Sequence, residues 1–348
     1  MALQGSGRIK YSEIIAEFGT PTNGGLGEYR LSGGEDVGSL QNIPLDVGVP
    51  TSGEIKFSDF YGKRLNQIVD LYSSSVDDTF RQDAKDRWED GEVHVVGSTK
   101  TSKTKPPDTN DDRVIIHVNQ KIGSSKSKQK HCAVKTGKWD SGTILEIEVG
   151  PNGGIYGSGG NGGKGGKAKN GDGGDGGDGS SALGIEYACT INNLGVIQSG
   201  YGGGGGGGGR KQTTNGGKKK PTKKHGSSGG GGGGGAGFPA GSAGKCPDDA
   251  YGKGTDGTDG AAGTLSGYAS GGTGGNYGGD GGSSGFPNNT DTKADNGDDA
   301  VNSKGKVYGE GGTGGDNGYA IITNQSSAPS ISGGGTLKGR TLLSTTPT

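Results

Sequence analysis

Three stretches of this chain carry residue types at spacings associated with chemistry. "GGNGGKG", residues 159–165, imitates a phosphate loop, in which backbone N–H groups and a lysine cradle a phosphate. The pattern fails on both sides: Ser158 stands where a glycine is required, and Gly165 stands where Ser or Thr should follow Lys164. Matches to G-x-G-x-x-G carry no weight in a chain with 84 glycines. "GDGGDGGDG", residues 171–179, offers Asp172, Asp175 and Asp178 as calcium ligands. Successive carboxylates there lie about 9 Å apart along an extended chain. That is too far to share one ion, and the G-G-x-G-x-D nonapeptide of calcium-binding β-rolls is absent. The row reads as a solvated acidic edge, and neither a metal nor a cofactor is called for.

The third stretch is "RKQTTNGGKKKPTKKHG", residues 210–226. It crowds Arg210, Lys211, Lys218, Lys219, Lys220, Lys223 and Lys224 into one connection between two glycine runs. Such a run is either a solvated mobile loop or a contact for phosphate or carboxylate groups, to which lysines are suited as flexible point charges. Few aromatic residues interleave with it, which argues against single-stranded nucleic acid. Aromatic residues elsewhere punctuate the glycine runs: Phe238, Tyr251, Tyr268, Tyr277 and Phe286. Rings there either stack on sugars or cover glycine edges. No Ser–His–acid or Cys–His set is discernible, and His94 and His117 read as strand residues. The chain carries 37 acids, too many to single out a glycosidase pair. A polysaccharide depolymerase is disfavoured because long β-helical repeats are not legible after residue 200. The chain reads as a non-enzyme.

Composition sets what must position these residues. From Pro151 onward the chain holds 66 of the 84 glycines, and 18 precede it. With 26% hydrophobic residues and a mean hydropathy of -0.69, one conventional apolar core for the whole chain is excluded. The net charge of -1 gives no bulk attraction to nucleic acid or anionic membrane. Cys132, Cys189 and Cys246 show neither metal-ligand spacing nor a disulfide framework, as expected of free thiols in a protein made in a reducing cytosol. Neither a signal peptide nor an apolar run long enough for a membrane span is present, so the chain is expected to be soluble, with no membrane insertion.

Four units follow. Residues 1–66 contain a near-repeat, "SGRIKYSEI" from Ser6 and "SGEIKFSDF" from Ser52. Ile9 with Tyr11, and Ile55 with Phe57, alternate as in a short strand, and Ser12 and Ser58 sit where a helix N-cap would. This unit is expected to dock rather than react, with Ile9, Tyr11, Ile55, Phe57 and Phe60 as docking candidates. Residues 67–150 contain "EVHVVG", "RVIIHVN", "HCAVKTG" and "ILEIEVG", alternating and β-branched, and read as a small antiparallel β-domain entered by a short helix near Asp83–Trp88. Residues 151–325 are glycine-rich, and 326–348 form a C-terminal segment. The fold class is therefore mostly β and irregular.

Within 151–325 the non-glycine residues recur every third position, as at Ser158, Asn161, Lys164 and Lys167. Three is the period of a polyproline-II-type helix. Two of its three edges are then bare backbone, so such helices can pack side by side with hydrogen bonds between them. Collagen is unlike this chain, which has only 12 prolines. Helices are expected near 157–166, 171–179, 200–209, 229–237, 252–263, 271–285 and 309–318, joined by longer connections at 210–228, 238–251 and 286–308. The first two are expected to run antiparallel, with Lys164 and Lys167 facing Asp172 and Asp175.

"MALQGSGRIKYSEIIAEFG" and "IPLDVGVPTSGEIKFSDFYG" resemble the N-terminal module of tail-fibre and tail-tip proteins of tailed phages, notably marine ones. "LEIEVGPNGGIYGSGGNGGKGG" with "INNLGVIQSGYGGGGGGGG" resembles the glycine-rich modules of phage tail proteins and of T-even-type fibre-tip adhesins. Those adhesins are sandwiches of polyglycine-II helices whose end loops recognise the host. The resemblance implies a virion tail protein, synthesised in the host cytoplasm. Its implied partners are other tail, fibre or baseplate proteins and a bacterial surface glycan or outer-membrane protein. Arg210, Lys211, Lys218, Lys219, Lys220, Lys223, Lys224, Phe238, Tyr251, Tyr268 and Phe286 are the candidate receptor contacts. The basic insertion departs from the family pattern, and a purely architectural tail protein is the alternative. A third reading, an ice-binding protein, is disfavoured by the N-terminal module and the charged insertion.

Overall fold

A computed structural model describes residues 3–18, 25–29, 53–63, 67–71, 78–79, 113–125, 127–137, 139, 141–214, 223–248, 253–259, 269–274, 278–285, 292–302 and 304–348. The strand expected at "EVHVVG", with His94, and the helix expected at Asp83–Trp88 lie outside these residues.

The near-repeat forms two copies of one local structure. Gly7 and Gly53 both adopt positive φ, of 95° and 77°. Three residues later the backbone N–H of Lys10 donates to Glu13 (2.6 Å), and that of Lys56 donates to Asp59 (2.7 Å). The acids thus reach back over the first turn, and the lysines, not Ser12 and Ser58, hold the N-cap position. The expected lead-in strands are not formed. The first copy continues as the helix Tyr11–Phe18 and the second as the 3-10 turn Phe57–Phe60. Ile14 and Phe60, at matching positions, are buried together with Ile9 and Tyr29.

The strands after residue 66 correct the expected antiparallel domain. Apart from two short antiparallel hairpins at 210–227 and 300–309, they run parallel in three sheets, and each sheet takes one strand from successive turns of the chain. The first sheet stacks Gln67–Leu71, Arg113–Val118, Ile144–Val149, Cys189–Asn193 and Ser330–Ser332. The second stacks Lys121–Ile122, Gly154–Tyr156, Val196–Gln198 and Thr336–Lys338. The third stacks Asp78–Thr79, Cys132–Lys135, Ser181–Ile185, Tyr319–Thr323 and Arg340–Leu342. This is a three-sided β-solenoid. Its strands are too short to bury much alone, so like residues stack between turns: Ile116 on Ile147 on Ile191, and Ile122 on Ile155 on Ile197. An antiparallel reading pairs strands that are adjacent in sequence. Here the short links turn corners, and each strand meets its partner one full turn later.

The glycine-rich chain leaves the solenoid between its second and third sheets and returns, once at 157–180 and once at 199–318. Ten extended segments result among the described residues: 157–167, 171–179, 200–209, 228–237, 241–246, 254–259, 269–274, 278–285, 292–299 and 309–318. Their N–H groups fan out in three directions with period three. In 200–209, Gly203 donates to Gly177, Gly204 to Gly233 and Gly205 to Asp295. The carbonyls of the same three residues accept from Gly315, Gly163 and Gly282. That segment therefore has six bonded neighbours, and residues 201–209 are buried throughout. Segment 228–237 is likewise surrounded by six. The bonds arrange the segments in three tiers. Segments 309–318, 200–209, 228–237 and 254–259 form the middle tier, with three segments on either side.

Two expectations change here. Residues 241–246 and 292–299 belong to this array rather than to connections, and 271–285 is two segments. Their period-three signal is sparse, resting on Gly241 with Gly244 and on Ala294 with Gly297. The antiparallel pairing of the first two segments holds, with Gly174 donating to Lys164 and Gly177 to Asn161. The aspartates, however, do not turn toward the lysines. Asp172, Asp175 and Asp178 accept the backbone N–H groups of Glu310, Thr313 and Asp316, at 2.9, 2.8 and 2.9 Å.

Candidate functional site

Successive segments alternate in direction, so their connections fall at two ends. One end abuts the solenoid: residue 157 follows Tyr156, and Ser180 precedes the strand Ser181–Ile185. The far end carries the turn at 167–171, the hairpin that starts at Arg210 and the hairpin at 300–309.

In the first of these, Asn170 adopts a left-handed φ of 61° and its Oδ1 accepts the N–H of Lys211 at 2.6 Å. The basic insertion is an antiparallel hairpin pairing Arg210–Thr214 with Lys223–Ser227. In the second hairpin Val301 pairs with Val307. Asn302 Oδ1 accepts from the N–H of Lys304 (2.9 Å) and of Lys306 (3.0 Å), and Gly305, at φ 74°, closes the turn. The hairpins touch through Arg210. Its guanidinium lies 4.7 Å from the centre of the Tyr308 ring and donates to the Val301 carbonyl at 3.1 Å. Lys306 Nζ lies 5.6 Å from the same ring.

Of the candidate receptor contacts, Arg210, Lys211, Lys223 and Lys224 thus come together at the far end. Phe238 does not: it sits at the solenoid end, its ring 6.4 Å from Tyr156 and its carbonyl accepting the Ser124 N–H at 3.1 Å. Lys218, Lys219, Lys220, Tyr251, Tyr268, Tyr277 and Phe286 lie outside the described residues. Sequence reasoning passed over Val301, Val307 and Tyr308. The signal was available in "AVNSKGKVYG", where a Gly-containing turn separates two apolar pairs.

In the N-terminal unit Phe60 is fully buried and Ile9 nearly so, whereas Phe57 is 42% exposed and packs edge-on against Tyr11. Tyr11 and Ile55 are half-buried. Only the last three have surface to offer a partner.

Reactive groups are muted elsewhere. Burial pushes the Cys132 and Cys189 thiols up to about 12, so both stay protonated. The N–H and hydroxyl of Thr313 hold the Asp175 carboxyl below its ordinary value, and the Cys246 N–H does the same for Asp256. Among the described residues no group of three His, Cys, Asp or Glu side chains is placed to hold a metal ion. Among them, too, no helix is long and apolar enough to cross a membrane.

The backbone-bonded array thus carries the two hairpins at the end away from the solenoid. The chain belongs to the phage tail fibre adhesin Gp38 family, which it matches over residues 92–342. Among solved structures it is similar to the gp37-gp38 adhesin tip complex of the bacteriophage S16 long tail fibre. That likeness has 17% identity and a TM-score of 0.34, covering 82% of this chain and 85% of that one. No curated protein sequence matches it.

Proposed function

We propose that this protein is a receptor-binding adhesin of the virion tail, and that its glycine segments are polyglycine-II helices forming a sandwich. The observation that carries this reading is segment 200–209, bonded on six sides with period three and buried from 201 to 209. A scaffold held by its own backbone leaves the far-end connections free to vary, and they carry the basic hairpin. Family membership supports a tail location and tail-fibre partners. Residues 1–66 then serve as the docking unit, through Phe57, Tyr11 and Ile55. The surface target is an anionic one, a glycan with phosphate or carboxylate groups or an acidic outer-membrane protein loop, because the insertion 210–226 holds seven Arg or Lys residues and no acid.

The test converts Lys218, Lys219, Lys220, Lys223 and Lys224 to Ser in the virion. Adsorption to host cells should weaken, and its dependence on ionic strength should flatten, because exposed charge contacts are screened over about 8–10 Å at ordinary salt. Identical salt curves at equal incorporation of the protein would remove the basic hairpin from the binding site.

A further inference from the structure

Arg210 reads from sequence as one more cation for the receptor. Its surroundings give it another task. The guanidinium is engaged on two sides, by the Tyr308 ring and by the Val301 carbonyl, and both partners belong to the neighbouring hairpin. That hairpin is itself fixed, by the Asn302 turn and by Ala300, which is 1% exposed. Lys211, by contrast, is exposed. An isolated two-stranded hairpin is marginally stable in water, so the basic insertion needs an external hold. The Asn170 side chain grips its backbone at Lys211. Among the described side chains, Arg210 joins it to the second hairpin.

Resting on the adhesin reading, we infer that Arg210 is a positioning residue, not a receptor contact. It clamps the lysine-rich hairpin against the 300–309 hairpin so that both present one surface. On the second hairpin Val301 and Val307 are paired and exposed at 47% and 42%. Large side chains left this open are available to a partner, and Lys304 and Lys306 lie between them in sequence. The clamp needs a planar fork that can stack and donate at once, which lysine cannot supply.

The conservative substitution therefore gives the sharpest test. Arg210→Lys keeps the charge and loses the clamp. Amide exchange in the full-length protein should rise across Arg210–Thr214 and Lys223–Ser227, while thermal stability of the whole chain stays unchanged. Virions carrying R210K should adsorb about threefold to tenfold more slowly, the range of a lost cation–π and hydrogen-bond contact. Tyr308→Ala should reproduce both effects and Tyr308→Phe neither. Wild-type exchange and adsorption in R210K would overturn the assignment. The double variant Val301→Asp with Val307→Asp separates this failure from failure of the adhesin reading. If it abolishes adsorption while R210K does not, the far end still binds the receptor and Arg210 does not organise it. If R210K loosens the hairpins and both variants adsorb normally, the far end is not the receptor site and both readings fall.

Discussion

Asp175 accepts hydrogen bonds from both the N–H and the hydroxyl of Thr313, each at 2.8 Å. Segment 309–318 lies at the edge of the array, where among the described residues its outward N–H groups meet no further segment. Side chains take that place: Asp172, Asp175 and Asp178 on one side, Asn296 and Asp299 on the other. Segment 241–246 is finished the same way, by Asn161, Asp256 and Asp259. The period-three acids are therefore caps for backbone donors, and amides serve equally. Asp175→Asn should be nearly neutral near neutral pH, whereas Asp175→Ala should cost about 0.5–1.5 kcal/mol, at the low end because the site is exposed. Thermal melts of the two variants check this. The pH dependence has a definite sign. A carboxyl held below its ordinary 3.8 stabilises the fold above that value. The contribution is lost as pH falls through the lowered folded-state value. The melting temperature should hold from about pH 6 to about pH 4 and then fall, and D175N should remove part of that fall.

At the scale of elements, the described residues of the array form no apolar core cluster, and closeness of approach does the work of one. A Cβ at Gly160 would overlap the carbonyl of Gly177, and one at Gly163 the carbonyl of Gly174. Gly160→Val should therefore unfold the glycine-rich region or cost at least about 1–3 kcal/mol, since rigid backbone cannot repack. Gly334→Val is the control, because a Cβ there meets nothing within 4 Å. Protease resistance of both variants would show the difference. The period-three spacing made most of these segments legible, because glycine is demanded wherever two backbones touch. The segments at 241–246 and 292–299 were missed because Ser242, Ala243, Asp295 and Asn296 break the visible run while satisfying the same geometry. The solenoid was illegible for another reason. Alternation at Ile144–Val149 reveals a strand and one inward face but not its neighbour, and excursions at 157–180 and 199–318 hide the repeat. Of the candidate site, the basic hairpin could be read from charge alone. The clasp of Arg210 on Tyr308 joins residues 98 positions apart and needed the fold.

At the scale of the molecule, the N-terminal residues hold a small aromatic-centred unit, and the far end of the backbone lattice carries a set of hairpins. Docking through the first predicts that deleting residues 1–66 leaves a folded, protease-resistant fragment that no longer enters virions, as a blot of purified particles would show. Display through the second is the central claim, and a density map of the assembled tail tests it most directly. The account predicts that the hairpins beginning at Arg210 and Ala300 form the outermost surface, free of other subunits, with Phe57 facing the tail. Finding those hairpins packed against neighbouring tail proteins, with the N-terminal unit exposed, would contradict it and make the protein architectural.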